Sequence, residues 1–124
     1  MRCLAVAAYF KLFEFDLYIY RRDFARLHNR VRSSVVNPRA ALPGTVERIC
    51  NAVNLACMWY WKPVLCLQRS AVTICLLRQS GVSAQMVIGA QQLPLKAHAW
   101  VEIDGRVIND KPYTREMYAV LDRL

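Results

Sequence analysis

Three side chains of this sequence suit acyl transfer if the fold brings them together: Cys66, His98 and Asp110. Cys66 is predicted to lie in the first turn of a helix, where unpaired N–H groups and the helix dipole stabilise a thiolate. His98 falls in one strand-like run and Asp110 in the next. In such a set the thiolate attacks a carbonyl carbon, the imidazole transfers the proton and the carboxylate fixes the imidazole tautomer. The same N–H groups could stabilise the oxyanion.

The remaining nucleophile candidates lack this setting. Cys50 and Cys57 fall on the packed face of a predicted helix, and Cys75 lies in the middle of an uncharged helical run. With Cys3 near the terminus, these residues are interpreted as small core or incidental side chains. Ser70 would be a poor nucleophile, because it lies one turn into a helix with no strained elbow around it.

The histidine and cysteine spacing argues against a metal or another cofactor. The five cysteines form neither an even set nor a CxxC pair, and short Cys/His ligand spacings are absent. A disulfide framework is therefore not expected, and the pattern is typical of the reducing cytoplasm. His28, the second of two histidines, lies in an arginine-rich helix and is interpreted as a surface residue.

Helices are predicted for the first two-thirds of the chain. Apolar residues recur at spacings of three and four residues over residues 4–32. This pattern indicates one amphipathic helix, with a bend or break allowed midway. Two prolines make Ser33 to Gly44 a connector. Thr45 is the expected N-cap of a helix that runs to about Trp61, and a third helix, apolar on all sides and therefore central, runs from Cys66 to Gln79.

Strands are predicted after the third helix, at Ala84–Gly89, Ala97–Ile103 and Arg106–Asp110. A last short helix should start at Thr114. Its inward residues would be Met117, Tyr118, Leu121 and Leu124. Helices followed by a small antiparallel sheet packed on a central helix make an α+β fold.

The chain length and charge bound the remaining possibilities. A chain of 124 residues that is 56% hydrophobic is expected to form a single domain, residues 1–124, with a helix and connector over 1–44 and a core over 45–124. Lys11, Glu14 and Asp16 interrupt the apolar N-terminal run, so neither membrane insertion nor a signal peptide is expected. The net charge of +8, concentrated between Arg21 and Arg48, favours an acidic partner.

The hairpin register decides whether His98 and Asp110 can meet. A two-residue turn at Asp104-Gly105 would pair Ala99 with Asp110 and place the carboxylate on the face away from His98. A three-residue loop with Gly105 in a bulge pairs His98 with Asp110, and it also brings opposite charges and apolar side chains together. The three-residue register is therefore the prediction.

Several short motifs resemble the transglutaminase-like, papain-related cysteine peptidases of lasso-peptide biosynthesis, in particular the stand-alone leader peptidase. The resemblance covers roughly residues 52–124. The matching stretches are CLQRS (Cys66 to Ser70), LLRQSG (Leu76 to Gly81), VIG (Val87 to Gly89), Pro94, HAWVE (His98 to Glu102), Asp104-Gly105 and Asn109-Asp110. One difference is Leu95, since many relatives carry Phe after the proline.

The resemblance implies a Cys66, His98 and Asp110 triad that removes the leader from a ribosomally made precursor. It also implies two protein partners, a separate leader-recognition protein and the cyclase that closes the ring. Nothing in the chain resembles the recognition domain, which agrees with a split system.

Two alternatives stay open at this point. An acyltransferase or transglutaminase would use the same Cys-His-Asp set with an amine as the acceptor. A non-enzymatic basic module that binds nucleic acid would explain the charge, but zinc, RNP-like and Gly-rich signatures are absent, so nucleic acid is not the expected partner.

Overall fold

The structure, a computed structural model, describes residues 2–38, 41–92, 95–110 and 114–124. Arg39 and Pro94 lie outside the described residues, as does the side chain of Cys3. The helices are α1 (Arg2–Tyr20), α2 (Phe24–Arg32), α3 (Thr45–Trp59), α4 (Cys66–Gln79) and α5 (Thr114–Met117). The strands are β1 (Gln85–Gln92), β2 (Leu95–Ile103), β3 (Arg106–Val107) and β4 (Ala119–Arg123). This arrangement confirms the α+β prediction.

The long N-terminal helix is broken into α1 and α2, as the sequence allowed. Arg22 adopts a left-handed conformation with φ of 55°, and Asp23 follows as the N-cap of α2. The Asp23 carboxylate accepts a hydrogen bond from the backbone N–H of Arg26 at 3.1 Å. An unsatisfied donor at the start of α2 is thereby paired, which allows the chain to turn and fold α2 back.

Helix α4 lies at the centre of the molecule, as its uncharged sequence predicted. Its bounds match the expected Cys66 and Gln79, and every residue from Ser70 to Arg78 is buried. It packs against α1, α3 and the first two strands. The core around α4 includes Leu12, Ile49 and Val101. A helix enclosed on every side can be apolar all round, because no face of it meets water.

The start and end of α3 differ from the prediction. Gly44, with φ of 78°, is the N-cap, and Thr45 is already helical, with its hydroxyl donating to the Leu42 carbonyl at 2.6 Å. The left-handed glycine lets the chain enter the helix one residue earlier than a threonine cap would. Helix α3 ends at Trp59, so Trp61 lies beyond it and is exposed rather than packed.

The sheet is antiparallel, with strand order β3-β2-β1-β4. Its fourth strand corrects the sequence prediction, which had a helix from Thr114 onward. The helix stops at Met117, and residues 119–123 pair with β1 instead. Met117 and Leu121 are consequently exposed, while Leu124 is buried as expected. Backbone hydrogen bonds along β1 outweigh the weak helical periodicity of this short segment.

Arg78 ties the end of the helical half to the sheet. Arg78 is 8% exposed, and its guanidinium donates to four backbone carbonyls among the described residues. These acceptors belong to Val31, Ser34, Ala84 and Leu124, at distances between 2.8 and 3.3 Å. Burial lowers the pKa of Arg78. The Arg78 side chain therefore donates hydrogen bonds to carbonyl groups at or next to the ends of α2, β1 and β4.

We predict that Arg78→Met lowers the free energy of unfolding by about 3 kcal/mol, because the buried Ala84 carbonyl loses its donor and the carbonyls of Val31, Ser34 and Leu124 each lose one hydrogen bond. Urea unfolding followed by circular dichroism would measure the change. Arg26→Ala is the matched control, since the Arg26 side chain is 64% exposed in its ion pair and should cost no more than about 0.5 kcal/mol. Equal midpoints for the two variants would contradict the role given to Arg78.

Candidate active site

The predicted three-residue hairpin register is wrong. Glu102 pairs with Val107 and Ile103 with Arg106, so the loop is the two-residue turn Asp104-Gly105. Both turn residues have positive φ, 50° and 78°. This conformation matches the right-handed twist of the strands it joins, which explains why the tighter turn is preferred. The expected pairing of Glu102 with Arg106 does not form.

His98 and Asp110 meet nevertheless, because β3 leaves the sheet directly after Val107. The Ile108 N–H still donates to the Val101 carbonyl at 3.0 Å. In a continued ladder the Val101 N–H would donate back to Ile108, but it donates to the Asn109 side-chain oxygen at 2.8 Å. The amide of Asn109 replaces a strand carbonyl, and the chain turns out of register. Asp110 is no longer held opposite Ala99, and its carboxylate contacts His98 Nε2.

Asn109 also connects this turn to helix α4. Its side-chain N–H donates to the Ser70 hydroxyl at 3.2 Å, and that hydroxyl donates to the Ala99 carbonyl at 3.1 Å. Arg69 donates to the Asn109 carbonyl at 3.4 Å. The edge of β2 that β3 leaves uncovered is therefore occupied by α4 and Asn109. Ala99, the residue next to His98, is therefore fixed against α4, the helix that begins at Cys66.

Two of the three predicted site residues touch each other, and the third begins helix α4. His98 and Asp110 are in direct contact, and both side chains are about four-fifths buried, with exposures of 20% and 19%. Cys66 is the half-buried first residue of α4, as predicted. Four residues along, Ser70 lies on the same side of the helix and reaches the edge of β2. Cys66 is thus on the side of α4 that faces this edge, one turn before Ser70.

The segment that leads into Cys66 is fastened to α1. Tyr60 donates to the Asp16 carboxylate at 2.6 Å, and the Lys62 ammonium lies 2.8 Å from the other oxygen of Asp16. Burial and the hydrogen bond to Asp16 raise the pKa of Tyr60 to about 12. Beyond Cys66, the buried Gln68 side chain donates to the Leu12 carbonyl at 2.7 Å. Helix α1 therefore sets where α4 begins.

Among the other candidate nucleophiles, Cys75 lies in the core and Cys57 packs against it, while Cys50 is half-buried. Burial raises the pKa of the Cys57 thiol, and burial together with the Glu47 carboxylate raises that of Cys50. Cys75 is fully buried, and the hydroxyl of Ser70 is enclosed and hydrogen-bonded. Of the cysteines whose side chains are described, Cys66 is the one that begins a helix.

His28 differs from the surface residue that was predicted. It is half-buried, and its Nε2 atom is enclosed without a hydrogen-bond partner among the described residues. Across the same residues, no three His, Cys, Asp or Glu side chains are grouped so that they could hold a metal ion. In the part of the chain that is described, no helix is both long and apolar enough to cross a bilayer.

Two contributions to the site were missed from the sequence. Asn109 was recognised as part of a motif, but its replacement of a strand carbonyl depends on where β3 ends, which the local sequence does not reveal. Tyr118 was assigned to the inward face of a helix, and its ring instead lies 5.2 Å from that of His98. Only the pairing of β4 with β1 brings it there.

Comparison with known families agrees with this geometry. Residues 10–123 match the family model of the transglutaminase-like superfamily, so the match extends over most of the chain. The chain belongs to the transglutaminase-like superfamily. Members of this superfamily are typically cysteine-based enzymes, which confirms the family-level part of the sequence prediction. No solved structure matches the chain.

One curated relative is similar over a shorter stretch. It is the microcin J25-processing protein McjB of Escherichia coli, which is 38% identical over 56 residues. These residues are 45% of this chain and 27% of the relative. The chain therefore spans about a quarter of the length of the relative that it matches.

We predict that iodoacetamide modifies Cys66 at least about tenfold faster than Cys50 or Cys57 at pH 7.5. The raised pKa values of Cys50 and Cys57 leave a smaller fraction of each as thiolate at this pH than a cysteine of ordinary pKa would have. Peptide mapping by mass spectrometry over a time course would give the individual rates, in a Cys3→Ser background that removes the terminal thiol. Equal rates at the three positions would remove the reason for choosing Cys66.

Proposed function

We propose that the protein is a cysteine peptidase that removes the leader from a ribosomally synthesised lasso-peptide precursor. The observation that carries the proposal is the contact of His98 with Asp110 beside the start of α4, in a chain of the transglutaminase-like superfamily. The similarity to a microcin-processing protein supports a peptide precursor as the substrate. The matching motifs include Cys66 and His98.

The contact with Asp110 assigns a role to each imidazole nitrogen in the proposed mechanism. Asp110 accepts a hydrogen bond from Nε2–H of His98, so Nδ1 is the nitrogen that carries a lone pair. Nδ1 therefore takes the proton of the Cys66 thiol. Asp110 stabilises the imidazolium that this transfer creates and keeps the ring in the required tautomer.

Peptide hydrolysis then proceeds in two steps. The Cys66 thiolate attacks the carbonyl carbon of the scissile bond, the C–N bond breaks, and the imidazolium of His98 donates its proton to the departing amine. The product of this step is a thioester between Cys66 and the leader. In the second step His98 takes a proton from water, the hydroxide oxygen attacks the thioester, and the thiol of Cys66 leaves with that proton. Backbone N–H groups at the start of α4 would stabilise the oxyanion of each step.

A separate leader-recognition protein would deliver the precursor, and the ring-forming cyclase would act on the product. We therefore expect the isolated chain to cleave poorly and the partner to restore cleavage. Reactions would take place in the cytoplasm, where the cysteines stay reduced.

We predict that Cys66→Ala abolishes cleavage and that Asp110→Asn lowers the rate by about 100-fold or more, because the neutral amide does not stabilise the imidazolium and its NH2 group can donate to Nε2, which selects the wrong tautomer. The substrate is the precursor encoded beside the gene, with and without the neighbouring recognition protein, and mass spectrometry locates the cut. Cys50→Ala, Cys57→Ala and Cys75→Ala are matched controls that should act only through stability, at about 1 kcal/mol each.

Near-wild-type cleavage by Cys66→Ala would end the cysteine-peptidase mechanism. A product in which the leader carries an added amine rather than a free carboxylate would identify an amine-accepting acyltransferase. Cleavage that is equally fast with and without the recognition protein would contradict the split system.

The net positive charge of the chain is concentrated between Arg21 and Arg48, a segment we call the basic stretch. Its exposed side chains are the proposed docking surface for the partner or for acidic leader residues. Three arginines of this stretch already have carboxylate partners: Arg26 with Asp23, Arg30 with Glu14, and Arg32 with Asp122. Arg21 and Arg22, at the turn between α1 and α2, are exposed. They are therefore the side chains to test.

We predict that partner binding weakens as salt is raised and that Arg21→Gln with Arg22→Gln weakens it at low salt, since exposed charges act over about 10 Å at 0.1 M ionic strength. Isothermal titration calorimetry at several salt concentrations measures both effects. Phe10→Ser is the comparison variant, because Phe10 is 70% exposed and lines an apolar groove of about 400 Å³ between α1 and α3. Salt-independent binding that only Phe10→Ser weakens would assign docking to the groove.

A further inference from the structure

The imidazole of His98 belongs to a cluster of three aromatic rings. The ring of Tyr118 lies 5.2 Å from it at an interplanar angle of 28°, and the ring of Trp100 lies 6.0 Å from it at 27°. Trp100 and Tyr118 are themselves 6.0 Å apart. We call His98, Trp100 and Tyr118 the three-ring cluster. Stacked rings at these distances attract each other beyond the area they bury.

An irregularity in β4 is what brings Tyr118 into the cluster. Ile88 pairs with Asp122, but the next residue of β1, Gly89, pairs with Val120, so Leu121 is an extra residue in β4. In a regular ladder Gly89 would pair with Leu121, and Tyr118 would point to the opposite face of the sheet. The bulge places it on the face of His98. Re-aiming a side chain beside a site is a common use of such bulges.

The space for the cluster comes from a glycine. Gly89 pairs directly with His98 across β1 and β2. A Cβ at this position would lie 2.8 Å from the nearest ring atom of Trp100 and 2.9 Å from the Cβ of Tyr118. Both distances are shorter than real Cβ contacts, so any other residue would displace a ring. The absent side chain of Gly89 is therefore part of how the rings meet.

Trp100 is held from its far side. Its indole N–H donates to the Glu102 carboxylate at 2.8 Å, and Glu102 forms an ion pair with Arg123 at 2.9 Å. Glu102 is almost completely buried, and such a carboxylate must be paired. Along the chain, Tyr118 comes just before β4 and Arg123 comes after the bulge, so residues on both sides of the bulge support the cluster.

We propose that Tyr118 is a positioning residue for His98, acting through its ring and not through its hydroxyl. This inference rests on the proposed function. Tyr118 limits the rotation of the imidazole, so that Nε2 stays on Asp110 and Nδ1 stays available for the thiol of Cys66. The ring contacts alone account for this role, so phenylalanine should be able to replace tyrosine.

The kinetic test compares Tyr118→Ala with Tyr118→Phe on the precursor, in the presence of the recognition protein. Tyr118→Ala should lower kcat by about 10- to 100-fold with KM changed less than about threefold, because a misplaced base slows chemistry without loosening the leader. Tyr118→Phe should restore kcat to within about threefold of wild type. Met117→Ala, next to Tyr118 in the chain and 50% exposed, is the control and should leave both constants unchanged.

A second measurement does not depend on cleavage. The chain has two histidines, so proton NMR resolves the His98 ring, with a His28→Gln variant for assignment. The stacked rings should shift the carbon-bound imidazole protons of His98 upfield. Tyr118→Ala should move these signals downfield, and Tyr118→Phe should leave them near their wild-type positions. If wild type does not cleave, the proposed function fails while this spectrum still decides whether Tyr118 positions His98.

Two outcomes would overturn the proposal: His98 signals and kcat that are unchanged in Tyr118→Ala, or a Tyr118→Phe variant as impaired as Tyr118→Ala. Should Tyr118→Ala not fold, Gly89→Ala tests the cluster from the opposite side, by forcing Trp100 and Tyr118 to move. It should displace the His98 signals and lower kcat in the same direction. Unchanged signals in a folded Gly89→Ala protein would equally contradict the proposal.

Discussion

The hydrogen bond from the Val101 N–H to the side chain of Asn109 is the interaction on which the site depends. It completes the last position of β2 that β3 would otherwise cover, and it does so with an amide side chain instead of a strand. Burying an unpaired backbone donor would cost about 1 to 3 kcal/mol, so the chain is held to this solution. Its consequence is geometric, because Asp110 is released from strand register and reaches His98.

The two faces of the sheet have separate tasks. Met86 and Val101 pack into the core around α4, while Trp100 and Glu102 lie on the other face with His98. The core face supplies the burial that holds the domain together. The opposite face can therefore carry a buried carboxylate and three aromatic rings, provided that each polar group has a partner. Arg123 and the Trp100 indole provide these partners for Glu102.

Local sequence determines some of these elements and not others. The bounds of α4 could be predicted because Pro63 lies shortly before its start and Gly81, with φ of 88°, shortly after its last turn, and both signals act within a few residues. The break after α1 likewise has a local cause in the cap at Asp23. Strand β4 could not be predicted, since five residues have no clear period and the decisive hydrogen bonds come from β1, some 30 residues away.

The hairpin illustrates the limit of pair-by-pair reasoning. Favourable cross-strand pairs, including Glu102 with Arg106, argued for a three-residue loop, but positive φ at Asp104 and Gly105 gives the tighter turn. The predicted contact of His98 with Asp110 was right although its reason was wrong. A two-residue β3 and the amide of Asn109 were both needed, and neither follows from pairing preferences.

The central claim is that Cys66 forms a thioester with the leader, and acid quenching within one turnover followed by intact-protein mass spectrometry tests it most directly. The account predicts a transient species heavier than the enzyme by the mass of the leader minus one water, which maps to Cys66 and disappears as free leader accumulates. Leader release with no covalent species at any quench time, or an adduct that maps to another residue, would contradict it.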